Sequence, residues 1–360
     1  MPTGNKKHST GGGFELSRRG IIKAVAGTGV ALSAATGSVF ASNGTEQVIV
    51  RAEKVEPDLL PFGADVIDEL KATAAESQSP IVNWVEDTDG VELANQFWLA
   101  NALLLDVDTD QVDIDDILEV EGVSAIHPNF QIEIPEPQQD NGDGDTDTTY
   151  GLEQIRATEA WETFDTQGEG ARIAVLDTGI DPGHPDLDID DENFEEFDAD
   201  GNPVGSEPHD SHYHGTHVSG TVVGPETPAV EGTPGYGVAP EATLMHGLVL
   251  PGGGGTFAQI LGGMEWSVEN EADAINMSLG ATGYFTEFIE PVRNAEEAGT
   301  LVISSSGNSG VGTSGSPANV YEAVAVGASD EDEEIAEFSS GETISTADSW
   351  GPAAPDECPE

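Results

Sequence analysis

The chain has 360 residues, enough for two domains and a large core, and carries 68 acidic against 11 basic residues, a formal charge of −57. Charge of that density repels itself unless salt screens it, which at about 1 M happens within about 3 Å, so a molar-salt habitat is the expected setting. Only Arg156, Arg172 and Arg293 lie beyond residue 150, so nucleic acid is excluded as a partner and an anionic membrane surface is disfavoured, while the persistence of apolar runs argues against a disordered solvating chain.

Near the N-terminus, Ser17-Arg18-Arg19-Gly20-Ile21-Ile22-Lys23 precedes a weakly apolar stretch from Ala24 to Phe40 that ends at Ala41. A twin arginine, a diluted apolar core and a small residue at the cut point resemble a Tat signal peptide over 1–41. Export through the twin-arginine pathway as a soluble protein follows, with no stable membrane anchor, because the run is short for a bilayer span and Gly27, Gly29, Ser33 and Gly37 interrupt it.

Residues 42–134 suit a small α+β domain. Val48–Val50 reads as a strand, and Val66, Ile67, Leu70 and Ala74 form a helical stripe. Strands are expected around Asn83–Val85 and Phe97–Val107, a helix over Asp113–Glu121 burying Ile114, Ile117 and Leu118, and a closing strand over Ala125–Ile134. The order βαββαβ is compatible with a ferredoxin-like sandwich. Residues 135–149, with Pro135, Pro137, Gly142, Gly144 and alternating Asp and Thr, read as an acidic linker. Asp143, Asp145 and Asp147 open a calcium-loop spacing that no Glu closes.

From residue 150 to 360, strand-like and helix-like segments alternate. Strands are expected at Ile173–Leu176, Thr243–Val249, Ala274–Met277, Leu301–Ser305 and Val324–Val326, and helices at Gly215–Val223, Thr256–Glu269 and Phe285–Ala298. This predicts an α/β fold with a central parallel sheet and helices on both faces. Cys358 is the only cysteine, so no disulfide within the chain is available.

The run Ile173-Ala174-Val175-Leu176 has no polar alternation and reads as a strand buried on both faces. Asp177 stands at its carboxyl end, the edge where open α/β sheets bind ligands, and Gly179 lets the backbone turn away. A carboxylate there can orient a histidine, or it can simply form a turn. The densest polar cluster, His209 to His217, has two readings. His212-x-His214-x-x-His217 approaches a zinc-ligand spacing, although Thr216 stands where that pattern wants an aspartate. In the other reading, His214 opens a helix of small residues and serves as a base beside Asp177.

Taken together, Val175-Leu176-Asp177-Thr178-Gly179-Ile180-Asp181 and His214-Gly215-Thr216-His217-Val218-Ser219-Gly220 resemble the subtilisin-like serine peptidases, the subtilases. The likeness continues in order through His184-Pro185-Asp186-Leu187, Gly237-Val238-Ala239-Pro240, Gly263-Met264-Glu265-Trp266, Ile275-Asn276-Met277-Ser278-Leu279-Gly280 and Ser305-Ser306-Gly307-Asn308. The resemblance implies an Asp-His-Ser triad in which Asp177 fixes the tautomer of His214, with Asn308 as oxyanion donor. It implies that Gly254, Gly255, Ser278, Leu279 and Gly280 flank an extended peptide substrate and that Phe257 and Ile260 line an apolar pocket, unless those two are core residues. His184 and His217 are expected to be structural.

Residues 42–134 then resemble the family's inhibitory prodomain, and the acidic balance with a Tat leader resembles its haloarchaeal secreted members, the halolysins. The family's Gly-Thr-Ser-Met-Ala stretch, which carries the nucleophile, has no counterpart here. Ser314 in Gly312-Thr313-Ser314 is too early in the order and is followed by Gly315-Ser316-Pro317, so the sequence is expected to stop before its serine and to be inactive as it stands. No cofactor is required. The resemblance allows calcium as a structural ion near Asp186 and the loop Val222–Gly235, although that loop departs from the usual pattern. The expected function is a secreted, salt-adapted serine endopeptidase made as a zymogen. A metallohydrolase using the His209–His217 cluster and a non-catalytic peptide-binding protein of the same fold are the alternatives.

Overall fold

The computed structural model describes residues 44–53, 65–134 and 147–344. The leader, residues 135–146 of the linker and Cys358 lie outside them. Among the described residues, no helix is long and apolar enough to cross a membrane.

The first module runs β1 (Thr45–Ala52), α1 (Asp65–Glu86), β2 (Val91–Phe97), β3 (Ala102–Asp108), α2 (Ile114–Ile117) and β4 (Val123–Pro128). Its antiparallel sheet has the order β2-β3-β1-β4, the order of the ferredoxin-like arrangement. Alternation along the strands sorts side chains to two cores. Val48, Val50, Leu103, Leu105 and Val107 meet Ile81 and Val85 of α1 and Ile117 of α2. Ile49, Ala102 and Leu104 turn the other way, into the core of the large domain.

Four expectations here need correction, the first being the closing strand over Ala125–Ile134, which ends in this sheet at Pro128 while Gln131–Glu133 pairs elsewhere. Asn83–Val85 is not a strand but the last turn of α1, where Ile81 and Val85, four residues apart, bury one face. Phe97–Val107 is interrupted at 98–101, where Asn101 takes a left-handed conformation with φ 45°. The helix expected over Asp113–Glu121 is only one turn, capped by Asp113, whose carboxylate accepts from the Asp115 N–H at 3.1 Å.

The chain then forms β5 (Gln131–Glu133), α3 (Tyr150–Gln154), α4 (Ala157–Phe164), β6 (Arg172–Asp177), β7 (Phe194–Glu196), α5 (His214–Val223), β8 (Thr243–Leu248), β9 (Gly254–Thr256), α6 (Phe257–Glu269), β10 (Ala274–Met277), β11 (Ala281–Thr282), α7 (Ile289–Glu297), β12 (Leu301–Ser305), β13 (Gly315–Ser316) and β14 (Val324–Val326). A six-stranded sheet has the order β14-β12-β10-β6-β8-β7, and every pairing in it is parallel. On β6, Ala174 and Leu176 enter a core with Leu261 and Met264 of α6 and Val292 of α7, while Val175 enters a second core with Val218 of α5 and Leu248. Both faces are covered, as the apolar run of β6 requires.

Parallel pairing brings the carboxyl ends of the strands to one edge. Asp177 ends β6, Ser278 follows β10, and Asn308 lies in the loop after β12. β5 leaves the small module and pairs antiparallel with β9, Ile132 opposite Gly255 and Glu133 opposite Gly254. Glu133 also bridges Gly280.

Candidate active site

Asp177 is fully buried. Its backbone carbonyl accepts the N–H groups of Val249 and Leu250 at 2.9 and 3.0 Å, which fastens the end of β6 to the chain leaving β8. Its carboxylate takes the Thr178 N–H on Oδ1 at 2.8 Å. The ring of His214 lies against both oxygens, Nδ1 standing 2.8 Å from Oδ1 and 3.0 Å from Oδ2. A buried carboxylate needs donors, so the Nδ1 atom facing it carries the proton. That leaves Nε2, on the far side of the ring, with its lone pair.

The turn after Asp177 fixes how closely α5 can approach. Gly179 has φ +109°, and a Cβ there would lie 2.2 Å from the carbonyl oxygen of His209. A Cβ on Gly215 would lie 2.1 Å from the oxygen of Gly179. Only glycine fits at either contact, and the residue after His214 must be one for the helix to start against the turn. The first turn of α5 lacks a side-chain cap from Tyr213. Instead, Thr178 Oγ1 accepts the Gly215 N–H at 2.9 Å, satisfying one of the open donors at the helix start.

Several of these supports were not read from the sequence. Thr178 donates to the carbonyl of His212. Asp210 accepts the His212 N–H at 2.9 Å and the hydroxyl of Thr216, and Thr216 Oγ1 accepts the Asp181 N–H at 2.8 Å. His246 of β8 accepts the Gly179 N–H. The available signal was a lone histidine inside the otherwise apolar run Leu244-Met245-His246-Gly247-Leu248.

The structure brings Asp177 and His214 together and sets the other predicted residues around the same sheet edge. Asn308 is half-buried in the loop after β12, two strands across from β6. Gly254 and Gly255 form β9, and Ser278 and Gly280 follow β10 half-buried, Ser278 accepting from Asn276 at 3.1 Å, with Leu279 between them fully buried. Phe257 and Ile260 do not face an open pocket, since both have no exposed surface. Phe257 is closed in by Phe130 at 4.9 Å, His127 at 5.4 Å and Phe288 at 5.1 Å between ring centres. Ile260 is part of the core.

The histidine cluster does not assemble as a metal site. His214 is turned onto Asp177, His212 Nδ1 faces the backbone N–H of His214 at 3.4 Å, and among the described residues no three His, Cys, Asp or Glu side chains converge to hold an ion. The residues at Asp186 do not fit a cation either. Its Oδ1 accepts the Ala229 N–H at 2.6 Å and its Oδ2 accepts the Tyr236 hydroxyl at 3.0 Å. Burial and the neighbouring Asp186 carboxylate push the Tyr236 hydroxyl up to about 12, so it stays a donor.

Comparison with known proteins gives the same family throughout. The chain is 39% identical over 202 residues to the major intracellular serine protease of Bacillus subtilis strain 168, a span of 52% of this chain and 60% of that protein. It is 36% identical over 198 residues to subtilisin E of the same strain, covering 53% of this chain and 49% of that protein. Against the alkaline protease of Alkalihalobacillus alcalophilus it is 31% identical over 324 residues, 88% of this chain and 76% of that protein. The chain thus spans about three fifths of the first of these relatives and about half of the second. Residues 168–356 match the Subtilase family, and with the Asp177–His214 pair, the parallel sheet and these relatives in agreement, the chain belongs to that family.

Proposed function

We propose that the chain is the precursor of a secreted, salt-adapted serine endopeptidase in which Asp177 and His214 work with a serine outside residues 1–360. The observation that supports this most is the 2.8 Å contact of His214 Nδ1 with the fully buried Asp177. Asp177 holds the Nδ1–H tautomer and favours the imidazolium when it forms. Nε2 takes the proton of the attacking serine as a general base and returns it to the leaving amine as a general acid. Asn308, whose side-chain amide donates without losing its proton, is assigned to the developing oxyanion. Ser314 is not assigned as nucleophile, because its carbonyl accepts the Gly283 N–H at 2.8 Å and the chain continues directly into β13 instead of opening a helix.

Substrate peptides are proposed to add as a strand between residues 254–256 and 278–280. The chain's own β5 now pairs with β9 and bridges Gly280, and the Ile134 N–H donates to Gly253 at 3.0 Å. This supports reading residues 42–134 as an intramolecular inhibitor whose last strand fills the substrate's place. The surface it covers is held by Arg51, which pairs with Glu290 at 2.8 Å, and by Asn294, which donates to the Leu99 carbonyl at 2.7 Å. Export by the twin-arginine route is proposed from the leader, and salt adaptation from the charge of −57.

A serine-directed phosphonate tests the assignment on the protein made from the complete reading frame. Labelling of one serine, abolished by His214→Ala and unaffected by a chelator, is expected. Peptide hydrolysis that resists the phosphonate but is lost to a chelator would overturn the reading.

A further inference from the structure

His246 has no exposed surface and sits in β8 opposite Val175 of β6. Its ring reaches across to the face where α5 packs, and both nitrogens are engaged. The Gly179 N–H donates to Nε2 at 3.1 Å, so Nε2 carries the lone pair. Burial pushes the ring's pKa down to about 3, so it is neutral and keeps its proton on Nδ1, which donates to Ser219 Oγ at 3.0 Å. Gly179 lies two residues after Asp177, and Ser219 lies five residues after His214 on α5. One neutral ring therefore ties the turn that carries the carboxylate to the helix that carries the imidazole.

The sequence gives this role no local support. A buried imidazole is costly where its nitrogens lack partners, and an aliphatic side chain would suit an apolar strand better. The position makes physical sense through the two bonds. Without an acceptor at Nε2, the buried Gly179 N–H would seek another partner and the turn behind Asp177 would shift. The Thr178 N–H and the carboxylate it holds belong to that same turn.

We propose that His246 is a positioning residue, which holds Asp177 and His214 in register by accepting from Gly179 and donating to Ser219. This rests on the reading of Asp177 and His214 as the catalytic pair. The readout is the His214 Nδ1 proton in the full 360-residue chain, followed by nuclear magnetic resonance with nitrogen labelling of the histidines. A bond to a carboxylate moves that proton far downfield and slows its exchange with water.

The wild-type chain is expected to show the signal and H246L to lose it. H246Q is expected to retain it, because the Gln carbonyl reaches the place of Nε2 and accepts from Gly179. H246N is expected to lose it, because its shorter amide stands in for Nδ1 and reaches only Ser219. An unchanged signal in H246L and H246N would overturn the proposal, and so would equal behaviour of H246Q and H246N, which decides the case if H246L does not fold. Absence of the signal from the wild-type chain would overturn the catalytic pair and this proposal with it, whereas its presence there with no change in the variants would overturn only the role of His246.

Discussion

A carboxylate removed from water is costly unless donors take up its charge, and Asp177 meets that demand with the Thr178 N–H and the His214 ring. Asp177→Asn keeps the volume but presents an amide that can hold His214 in the wrong tautomer. The expected result in the complete protein is a fall in kcat of about 10⁴-fold with KM little changed, measured on a peptide substrate. Glu265 of α6 illustrates the opposite electrostatic case. It is half-buried at the contact with the small module, where it accepts the Leu99 N–H at 2.8 Å, and desolvation there first, then the charge of Glu269, push its pKa up to about 8. Freed from the module its pKa would return toward 4.5. The docked form therefore binds the extra proton: docking is at full strength below about pH 4.5 and is lost progressively as pH rises toward 8. Protection of the Leu99 amide from hydrogen exchange is expected to fall across that window, and Glu265→Gln is expected to flatten the dependence. Asp177 and His214 were legible because each sits in a short motif that names its own chemistry. Thr178, Asp210, Thr216 and His246 were not, because their bonds join segments that meet only after packing.

At the level of elements, β10, β12 and β14 fell where their apolar runs placed them, for different reasons: β10, covered on both faces, leaves the bounded signal of a buried strand, whereas β14 is an exposed edge strand marked by its β-branched Val324 and Val326. The end of α1 was misread because Pro80 and the β-branched Ile81, Val82 and Val85 weaken helix propensity, while the burial that overrides it comes from the facing sheet. The loop between α5 and β8 shows a second tertiary effect. The ring of Tyr236 lies over Gly220 and Gly224, and a Cβ on Gly224 would come within 2.0 Å of its Cε2 atom. Gly224→Ala is expected to destabilise the fold by about 1–3 kcal/mol through overpacking. Tyr236→Phe, which frees Asp186 Oδ2, is expected to cost about 1 kcal/mol at this half-exposed position. Denaturant unfolding measures both. Because Asp186 is satisfied by protein donors, calcium added in molar sodium chloride, where screening is already complete, is expected to leave the wild-type midpoint unchanged, and a calcium-dependent rise abolished by Asp186→Asn would show that an ion displaces those donors.

For the whole molecule, the charge of −57 far exceeds what the 11 basic residues can offset. Arg51, Lys71, Arg156 and Arg293 are already paired with Glu290, Glu269, Glu159 and Glu322, so most of the acidic surface has only water and counterions to face. In dilute buffer the screening length is about 30 Å at 0.01 M, comparable with a domain diameter, and the carboxylates repel one another across the molecule; at about 1 M it shrinks to about 3 Å and only neighbours interact. The unfolded chain spreads the same charge over a larger volume, so repulsion weighs on the folded state and salt is expected to raise the unfolding midpoint up to molar concentration. Salts also strengthen apolar burial in general, and pH separates the two effects. Lowering pH toward the ordinary carboxylate range removes negative charge, so the stabilisation gained between 0.1 M and 3 M sodium chloride should be larger at pH 8 than at pH 5. A gain of equal size at both pH values would assign the salt response to apolar burial and remove the physical basis for reading the acidic surface as an adaptation to salt.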